Sequence, residues 1–268
     1  MMLPRRRLVW FSCGAASAVL AKLAVEKYGD GCEIVYCDTM ATEHPDNARF
    51  FADVERWIGR SIRRIRSTEF ATIDDVFMRT RYMAGVAGAR CTMELKKRPR
   101  EAMQHYDDVH LFGYTVEEQR RADQFEDQNP ALHVEWLLID QGVGKQDCYA
   151  RLRDAEIELP AMYRLGFDHN NCLGCVKAAS PRYWNAIRKH FPEVFARRAR
   201  QSAALGVRLV GVSTEVGASI PDAQPKFRAG KITGYRIFLA TLPEDADGPS
   251  EQIDCGPVCQ SPSTETDE

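Results

Sequence analysis

The fold is decided near the start of the chain, by residues 7–28, which read RLVWFSCGAASAVLAKLAVEKY. Residues 7–11 form an apolar run of strand length, and residues 16–28 carry Ala, Val and Leu at the spacing of an amphipathic helix. Small residues from Ser12 to Ser17 join the two segments. A strand, a small-residue loop and a helix in this order predict the first βα unit of a parallel sheet.

The same alternation continues through the first half of the chain. The pattern predicts strands at residues 33–37, 62–66, 110–112 and 136–139, and helices at 46–58, 73–82, 92–106 and 116–128. We therefore predict an α/β fold with a doubly wound, mostly parallel sheet of the HUP/PP-loop type. This nucleotide-binding domain covers residues 1–142.

The pattern changes after Gly142. Residues 143–241 predict a helical or mixed C-terminal region that contains cysteines, with helices at 145–155 and on both sides of Pro192 and weaker strands at 207–212 and 234–239. Residues 242–268 are rich in Pro, Ser, Thr and acidic residues and predict a tail with little regular structure.

Composition narrows the class of protein. The chain has 268 residues, a net charge of -2 and 28% charged residues, as is typical of a soluble globular protein. Its nine cysteines are an odd number and do not resemble a secreted disulfide framework, so we expect a reducing, cytoplasmic location. Arg5 to Arg7 before an apolar run imitate a signal peptide, but Ser12 to Gly14 interrupt that run, and we expect no membrane partner.

The loop from Ser12 to Ser17 is a candidate anion site. Backbone N–H groups and the dipole of the following helix favour a phosphate at such a position, and the hydroxyls of Ser12 and Ser17 add donors beside Gly14 and Ala15. Small residues also serve simply to pack a helix against a strand, so the loop alone leaves both interpretations open.

Further polar residues follow the other predicted strands and the helix near residue 92. In a doubly wound sheet these positions gather at one edge. The residues expected to surround an adenine nucleotide with the loop are Asp38, Thr39, Arg90, Lys96, Gly113, Thr115, Glu118 and Arg121.

Together these motifs resemble a known family. Ser-x-Gly-x-x-Ser at 12–17, Asp38-Thr39, Arg90-Cys91-Thr92-x-x-Leu95-Lys96, Gly113-Tyr114-Thr115-x-x-Glu118 and a later CxxC are similar to the phosphoadenosine phosphosulfate (PAPS) reductase family. That family belongs to the PP-loop adenine nucleotide alpha hydrolases. The resemblance covers roughly residues 7–195 and implies an enzyme of sulfur metabolism that binds ATP, adenylyl sulfate (APS) or PAPS.

Departures from the family pattern guide the choice of reaction. The ATP pyrophosphatase loop reads Ser-Gly-Gly-x-Asp-Ser, and here Cys13 and Ala16 replace one Gly and the Asp. The loop therefore fits a reductase better than an ATP-cleaving enzyme. Asp254-Cys255-Gly256 resembles the reductase tail in which the cysteine is the nucleophile, although Cys259 stands near where a His is expected.

The cysteine pairs predict a metal centre or a redox centre. Cys172-Leu-Gly-Cys175 and Cys255-Gly-Pro-Val-Cys259 supply four thiolates, which suit zinc or a [4Fe-4S] cluster. An alternative cluster uses Cys91 with Cys172 and Cys175. In the four-cysteine version, Cys91 is a candidate catalytic thiol because Arg90 and Lys96 would lower its pKa, and a buried structural role for Cys91 stays equally open.

The sequence thus supports three hypotheses. The first is a PAPS reductase-like oxidoreductase that uses Cys91, Cys255 and Lys96 to release sulfite, with an external thiol as reductant. The second is an ATP-dependent sulfurtransferase that thiolates a tRNA or DNA base, which would make a nucleic acid a partner. The third is a non-catalytic nucleotide-binding module with structural zinc. A homodimer stays open under all three.

Overall fold

The computed structural model describes residues 5–85 and 88–250. In chain order the strands are β1 (Arg7–Phe11), β2 (Cys32–Cys37), β3 (Arg63–Ile65), β4 (Ala84–Gly85), β5 (Gly88–Ala89), β6 (Val109–Leu111), β7 (His133–Glu135), β8 (Val210–Val212), β9 (Gln224–Arg228) and β10 (Lys231–Ile237). The α-helices are α1 (Ala15–Tyr28), α2 (Asn47–Ile58), α3 (Ile73–Thr80), α4 (Arg90–Thr92), α5 (Arg98–Met103), α6 (Gln119–Gln128), α7 (Leu137–Asp140), α8 (Lys145–Asp154), α9 (Ala161–Arg164), α10 (Pro181–His190), α11 (Pro192–Ala204) and α12 (Thr214–Ala218).

The chain divides into two compact units. Among the described residues, the first unit holds 5–68 and 95–166, and the second holds 69–85, 88–94 and 167–250. The first unit continues past Gly142, where the sequence predicts a boundary, because α8 packs against α1. Each unit is a separate body in the description that follows.

The first unit is built on a five-stranded parallel sheet. Its strand order is β3-β2-β1-β6-β7, and every neighbouring pair is parallel. Side chains alternate along each strand, so Val9 and Phe11 face the core formed by α1, α2 and α8, whereas Leu8 and Trp10 face the core that includes α6. Helices thus cover both faces, and the predicted α/β fold with a parallel sheet is confirmed.

Two predicted elements differ in the structure. The predicted strand at 136–139 is wrong: β7 ends at Glu135, and Leu137 starts the short helix α7, in which Leu137 and Leu138 are buried. A short apolar run cannot distinguish a buried strand from a buried helix, which explains the error. The predicted helix at 92–106 is interrupted by a π-helical turn at Met93–Lys97 between α4 and α5.

The second unit contains α3, the helical pair α10 and α11, and a three-stranded sheet of order β8-β10-β9. All pairs in that sheet are antiparallel. The break between α10 and α11 falls at Pro192, as predicted, since proline is favoured at the first position of a helix and disfavoured inside one. Strand β9 has no counterpart in the sequence prediction.

No helix in the described ranges is long and apolar enough to span a bilayer.

Candidate functional site

The small-residue loop joins the carboxyl end of β1 to α1. Gly14 is the N-cap of α1, but it offers no side-chain cap, and the first turn of the helix contains no acidic residue. The first N–H groups of a helix have no acceptor inside the helix, and the dipole is positive there. This end of α1 is therefore suited to an external anion.

Two serine hydroxyls hold the loop in shape. The Ser12 amide donates to Ser17 Oγ at 3.1 Å, the Ser12 hydroxyl donates to the same atom at 3.2 Å, and Ser17 Oγ donates to the Gly14 carbonyl at 2.9 Å. The sequence predicts these hydroxyls as phosphate donors, whereas here they bond to each other and to the loop backbone. The backbone amides near Gly14 and Ala15 are left as the groups that would approach an anion.

Gly113 is placed against this loop by β6, the neighbour of β1 in the sheet. A methyl group at Gly113 would lie 3.0 Å from both Cα and N of Ser17, so only glycine fits without displacing the backbone of the loop. The order of strands reverses between β1 and β6, and ligands of doubly wound sheets bind at such a switch point, outside the carboxyl ends of the strands. Ser12, Gly14, Ser17 and Gly113 therefore form one cradle.

Cys13 adopts an uncommon backbone conformation in the loop, with a φ of 57°. Glycine is the usual residue in this left-handed region, so the loop makes at a cysteine a turn that is more common at glycine. The Cys13 side chain is fully buried, and burial, followed by the charge of Glu43, raises the pKa of its thiol well above the usual range. Cys13 is thus a neutral structural thiol, not a nucleophile.

A buried network of polar side chains lies beside Cys13, at the carboxyl end of β2. The Glu43 carboxylate accepts hydrogen bonds from Tyr36 at 2.9 Å, from Thr39 at 2.6 Å and from Asn47 at 2.7 Å. A buried carboxylate with three neutral donors is costly to disturb, since removing any donor exposes an uncompensated charge. The predicted nucleotide residue Thr39 therefore has a structural role in fixing the segment after β2.

Asp38 lies directly after β2 and is engaged by arginine. Its Oδ2 accepts from Arg66 Nη2 at 2.6 Å, and its Oδ1 accepts from the Met40 amide at 3.1 Å. Arg66 is largely exposed whereas the Asp38 side chain is 5% exposed, so a ligand would reach this carboxylate only by displacing Arg66. Asp38 lies at the carboxyl end of β2, where a ribose hydroxyl could replace Arg66 as the partner of its carboxylate.

The residues after β6 form a helix start. Thr115 and Glu118 form a capping box, in which the Thr115 amide donates to Glu118 Oε2 at 3.2 Å. Arg121 makes an ion pair with Glu118, and its guanidinium lies 4.7 Å from the centre of the Tyr114 ring. Local structure therefore explains the spacing of these three predicted residues.

Lys96 belongs to the first unit and is buried. Its carbonyl oxygen accepts a hydrogen bond from Cys37 Sγ at 3.7 Å, and its ammonium charge is near enough to the loop to counteract the rise in the pKa of Cys13. Lys96 therefore places a positive charge near the buried Cys13 side chain of the loop.

Arg90 and Cys91 belong to the second unit, as do Cys172 and Cys175. Arg90 makes an ion pair of 2.8 Å with Glu94, one turn later. Among the seven described cysteines, Cys91 is the one that is partly exposed, while the other six are buried. Burial raises the pKa of Cys37 and of Cys148 to about 12, so these two thiols stay protonated at neutral pH.

The CxxC loop is held by a glycine and a buried arginine. Gly174 has a φ of +64°, and a methyl group there would lie 2.9 Å from Val194 and 3.1 Å from Arg198. Arg198 Nε donates to the Gly174 carbonyl at 3.1 Å, and the same guanidinium makes an ion pair with Asp74. The Cys175 amide donates to the Tyr183 hydroxyl at 2.8 Å. Cys172 and Cys175 thus lie on a rigid turn.

The predicted four-cysteine metal centre stays a prediction. No three His, Cys, Asp or Glu side chains in the described ranges gather into a group that could hold a metal ion, and this includes the set of Cys91 with Cys172 and Cys175. Cys255 and Cys259, which complete the four-cysteine set, lie outside the described residues. The residues that the structure describes therefore supply two of the four thiolates, and the closed site stays a prediction.

Sequence reasoning assigned no role to two sets of residues in the loop region. Glu43 and Asn47 are buried polar residues whose roles depend on contacts with Tyr36 and Thr39, which no local pattern reveals. Tyr163 is the second: its hydroxyl lies 3.4 Å from the position of a methyl group added at Gly14. Tyr163 follows the α8 segment that the sequence assigns to another domain, so the prediction did not connect it with the loop.

Comparison with known proteins adds no assignment. No protein-family model matches the chain, and no curated protein matches it. The resemblance to PAPS reductases therefore depends on the sequence motifs alone.

Proposed function

We propose that the chain is a PAPS reductase-like enzyme of the PP-loop type, which binds an adenine nucleotide and carries out cysteine-dependent sulfur chemistry. The observation that carries this proposal is the cradle of Ser12, Gly14, Ser17 and Gly113 at the switch point of the sheet. It combines an uncapped helix N-terminus, a glycine-type turn at Cys13 and the buried cation of Lys96.

The expected substrate is an adenylyl sulfate, either APS or PAPS. In these phosphate–sulfate anhydrides one phosphate and one sulfate stand where ATP has three phosphates, so the substrate carries less negative charge there and needs fewer anion-binding groups than ATP. Ala16 stands where the ATP-cleaving loop has Asp, and the first turn of α1 contains no acid to help hold a metal-bound pyrophosphate. These features support a reductase more than an ATP-dependent sulfurtransferase.

Cys91 is the thiol that we assign to the chemistry among the described residues, because a nucleophile must be accessible and six other cysteines are buried. In the proposed step, the Cys91 thiolate attacks the sulfur of the sulfate group and the bond from that sulfur to the bridging oxygen breaks. AMP, or its 3′-phosphorylated form, leaves with the electron pair. A thiol reductant then attacks the Cys91 sulfur, which releases sulfite and forms a disulfide.

The backbone amides of the loop and Lys96 would stabilise the phosphate that leaves. Cys255 is the second candidate nucleophile from the sequence and keeps that status, since it lies outside the described residues. A zinc ion or a [4Fe-4S] cluster would be held by Cys172 and Cys175 with the two tail cysteines, and no step of the reaction depends on it here.

Product analysis tests the proposal. The purified protein is incubated without oxygen with APS, PAPS or ATP, with a dithiol as reductant, and sulfite and pyrophosphate are measured. Release of sulfite that Cys91→Ser abolishes and Cys148→Ser leaves unchanged is the expected result. Sulfite release lost with Cys255→Ser and retained in Cys91→Ser would move the nucleophile to the tail. Pyrophosphate from ATP without sulfite from either APS or PAPS would contradict the reductase.

A further inference from the structure

The hairpin formed by β9 and β10 in the second unit separates charge from apolar surface. The register pairs Lys231 with Arg228 and Ile232 with Phe227, so each pair lies on one face of the ribbon. One face carries Lys226, Arg228 and Lys231, and the other carries Phe227 and Ile232. All five side chains are exposed, including 65% of Phe227 and 43% of Ile232.

The hairpin is also free of acidic residues. Asp and Glu are absent from residues 223–243, while the same stretch contains Lys226, Arg228, Lys231 and Arg236. The side chains of the ribbon itself therefore contribute charge of one sign only. The chain as a whole has a net charge of -2, so the excess of positive side chains in this stretch is local.

The shape of the hairpin is fixed at both ends. Ala229 and Gly230 form a two-residue turn and both have positive φ values, 47° and 73°, which are typical of a type I′ turn. At the base, Gly234 approaches the Val212 carbonyl so closely that a methyl group would lie 2.6 Å from it, and Tyr235 covers Gly217 of α12. The tip residues therefore project from an anchored base as a preformed ribbon.

Strand β9 is the edge strand of its sheet, and this position determines which kind of ligand can bind to the hairpin. Pro225 cannot donate a backbone hydrogen bond, and Lys226 is a charged residue, so the edge is protected against pairing with a further strand. Side chains of both faces are nonetheless reachable from this edge. A flexible polyanion that crosses β9 can contact the cations on one side and the aromatic ring on the other.

We propose that the β9–β10 hairpin binds a single-stranded nucleic acid, with phosphates at Lys226, Arg228 and Lys231 and a base stacked on Phe227. Alternate residues of a strand lie about 6.6 Å apart, so Lys226 and Arg228 form a spaced row along the edge. Combined cations and exposed aromatic rings are how proteins bind single strands without strong sequence preference. A planar bilayer would contact the two faces poorly, because the cations and the apolar side chains point in opposite directions.

The proposal does not depend on the assignment of the reductase, and the two are tested separately. Fluorescence anisotropy of a labelled 20-nucleotide single strand of mixed sequence, at about 50–200 mM salt, measures binding to the full chain. The variant Lys226→Ala/Arg228→Ala should weaken binding and reduce the salt slope by about 1.4, or about 0.7 for each lost phosphate contact. The matched control is Lys189→Ala/Arg200→Ala, which removes two exposed cations from α10 and α11 of the same unit and should bind as the wild type does.

Phe227 provides the second arm of the test. Phe227→Ala should weaken binding roughly 5- to 150-fold with little change in the salt slope, while Phe227→Tyr, which keeps the ring, should bind nearly as tightly as the wild type. Circular dichroism shows whether each variant is folded. Equal losses in the hairpin variant and in the α10/α11 control would overturn the proposal, because binding would then reflect charge alone. Binding to vesicles of anionic lipid that requires Phe227, without binding to the single strand, would also overturn it.

Discussion

Gly174→Ala is the substitution that best tests how the CxxC loop is held. An L-residue in the left-handed region costs about 1–2 kcal/mol, and Gly174 has a φ of +64°. The new methyl group would also lie 2.9 Å from Val194 Cγ1 and 3.1 Å from Arg198 Cγ. Arg198 cannot easily move, because it is bonded to the Gly174 carbonyl and to Asp74. Crowding in a packed core adds about 1–3 kcal/mol, so the free energy of unfolding should fall by about 2–5 kcal/mol.

Gly206→Ala is the matched control for this substitution. Gly206 lies in the same unit, has a nearly equal φ of +68° and has no atom within 4 Å of the added methyl group. It should therefore show the backbone cost alone, about 1–2 kcal/mol. Urea unfolding followed by circular dichroism measures both variants. If Gly174→Ala costs no more than Gly206→Ala, Val194 and Arg198 do not confine the loop and the reasoning is refuted.

Three further predictions concern the first unit. Gly113→Ala should weaken adenine nucleotide binding at least about 10-fold in titration calorimetry, because the new methyl group would lie 3.0 Å from the Ser17 backbone. An unchanged affinity would argue against the cradle. Burial, with a contribution from Arg100, lowers the pKa of His110 to about 4. Below about pH 6.5 the unfolded chain therefore binds a proton at His110 that the folded chain does not bind. The free energy of unfolding should fall by up to about 3 kcal/mol from pH 6.5 to 4, and His110→Gln should flatten this pH dependence in urea unfolding. Arg100 is 5% exposed. Its Nη2 donates to Glu101 at 3.4 Å, but its Nε and Nη1 have no hydrogen-bond partner among the described residues. Arg100→Met should therefore raise the melting temperature, whereas exposed Arg98→Met should not, and a lower melting temperature for Arg100→Met would contradict a buried charge that is only partly compensated.

The parallel sheet could be predicted because its signal is local. Each of β1, β2 and β6 is an apolar run followed by a polar or small-residue turn. In α1 and α2 the apolar residues recur at helical spacing, which differs clearly from the pattern in the strands. The loop at Ser12 and the edge residue Asp38 follow from the same rule, since the carboxyl ends of parallel strands share one edge. The short run Trp136–Ile139 contains no such contrast, and there the assignment was wrong.

The contacts that give each site residue its role could not be predicted. Three neutral donors around Glu43 come from two segments of the chain, and the ion pair of Asp74 with Arg198 joins residues 124 positions apart. Strand β9 was missed because Pro225 and alternating charges weaken its strand signal. Whether a cysteine is accessible likewise depends on tertiary packing, so the sequence could not separate Cys91 from the buried thiols.

The most direct test of the proposed chemistry is the mass of the protein after a single turnover. The chain is mixed without oxygen and without reductant with one equivalent of APS or PAPS, digested, and each cysteine peptide is weighed. The account predicts one sulfonate group on Cys91, formed together with one equivalent of AMP or its 3′-phosphorylated form. Intact APS or PAPS and unmodified cysteine peptides, from protein that binds the nucleotide, would contradict it.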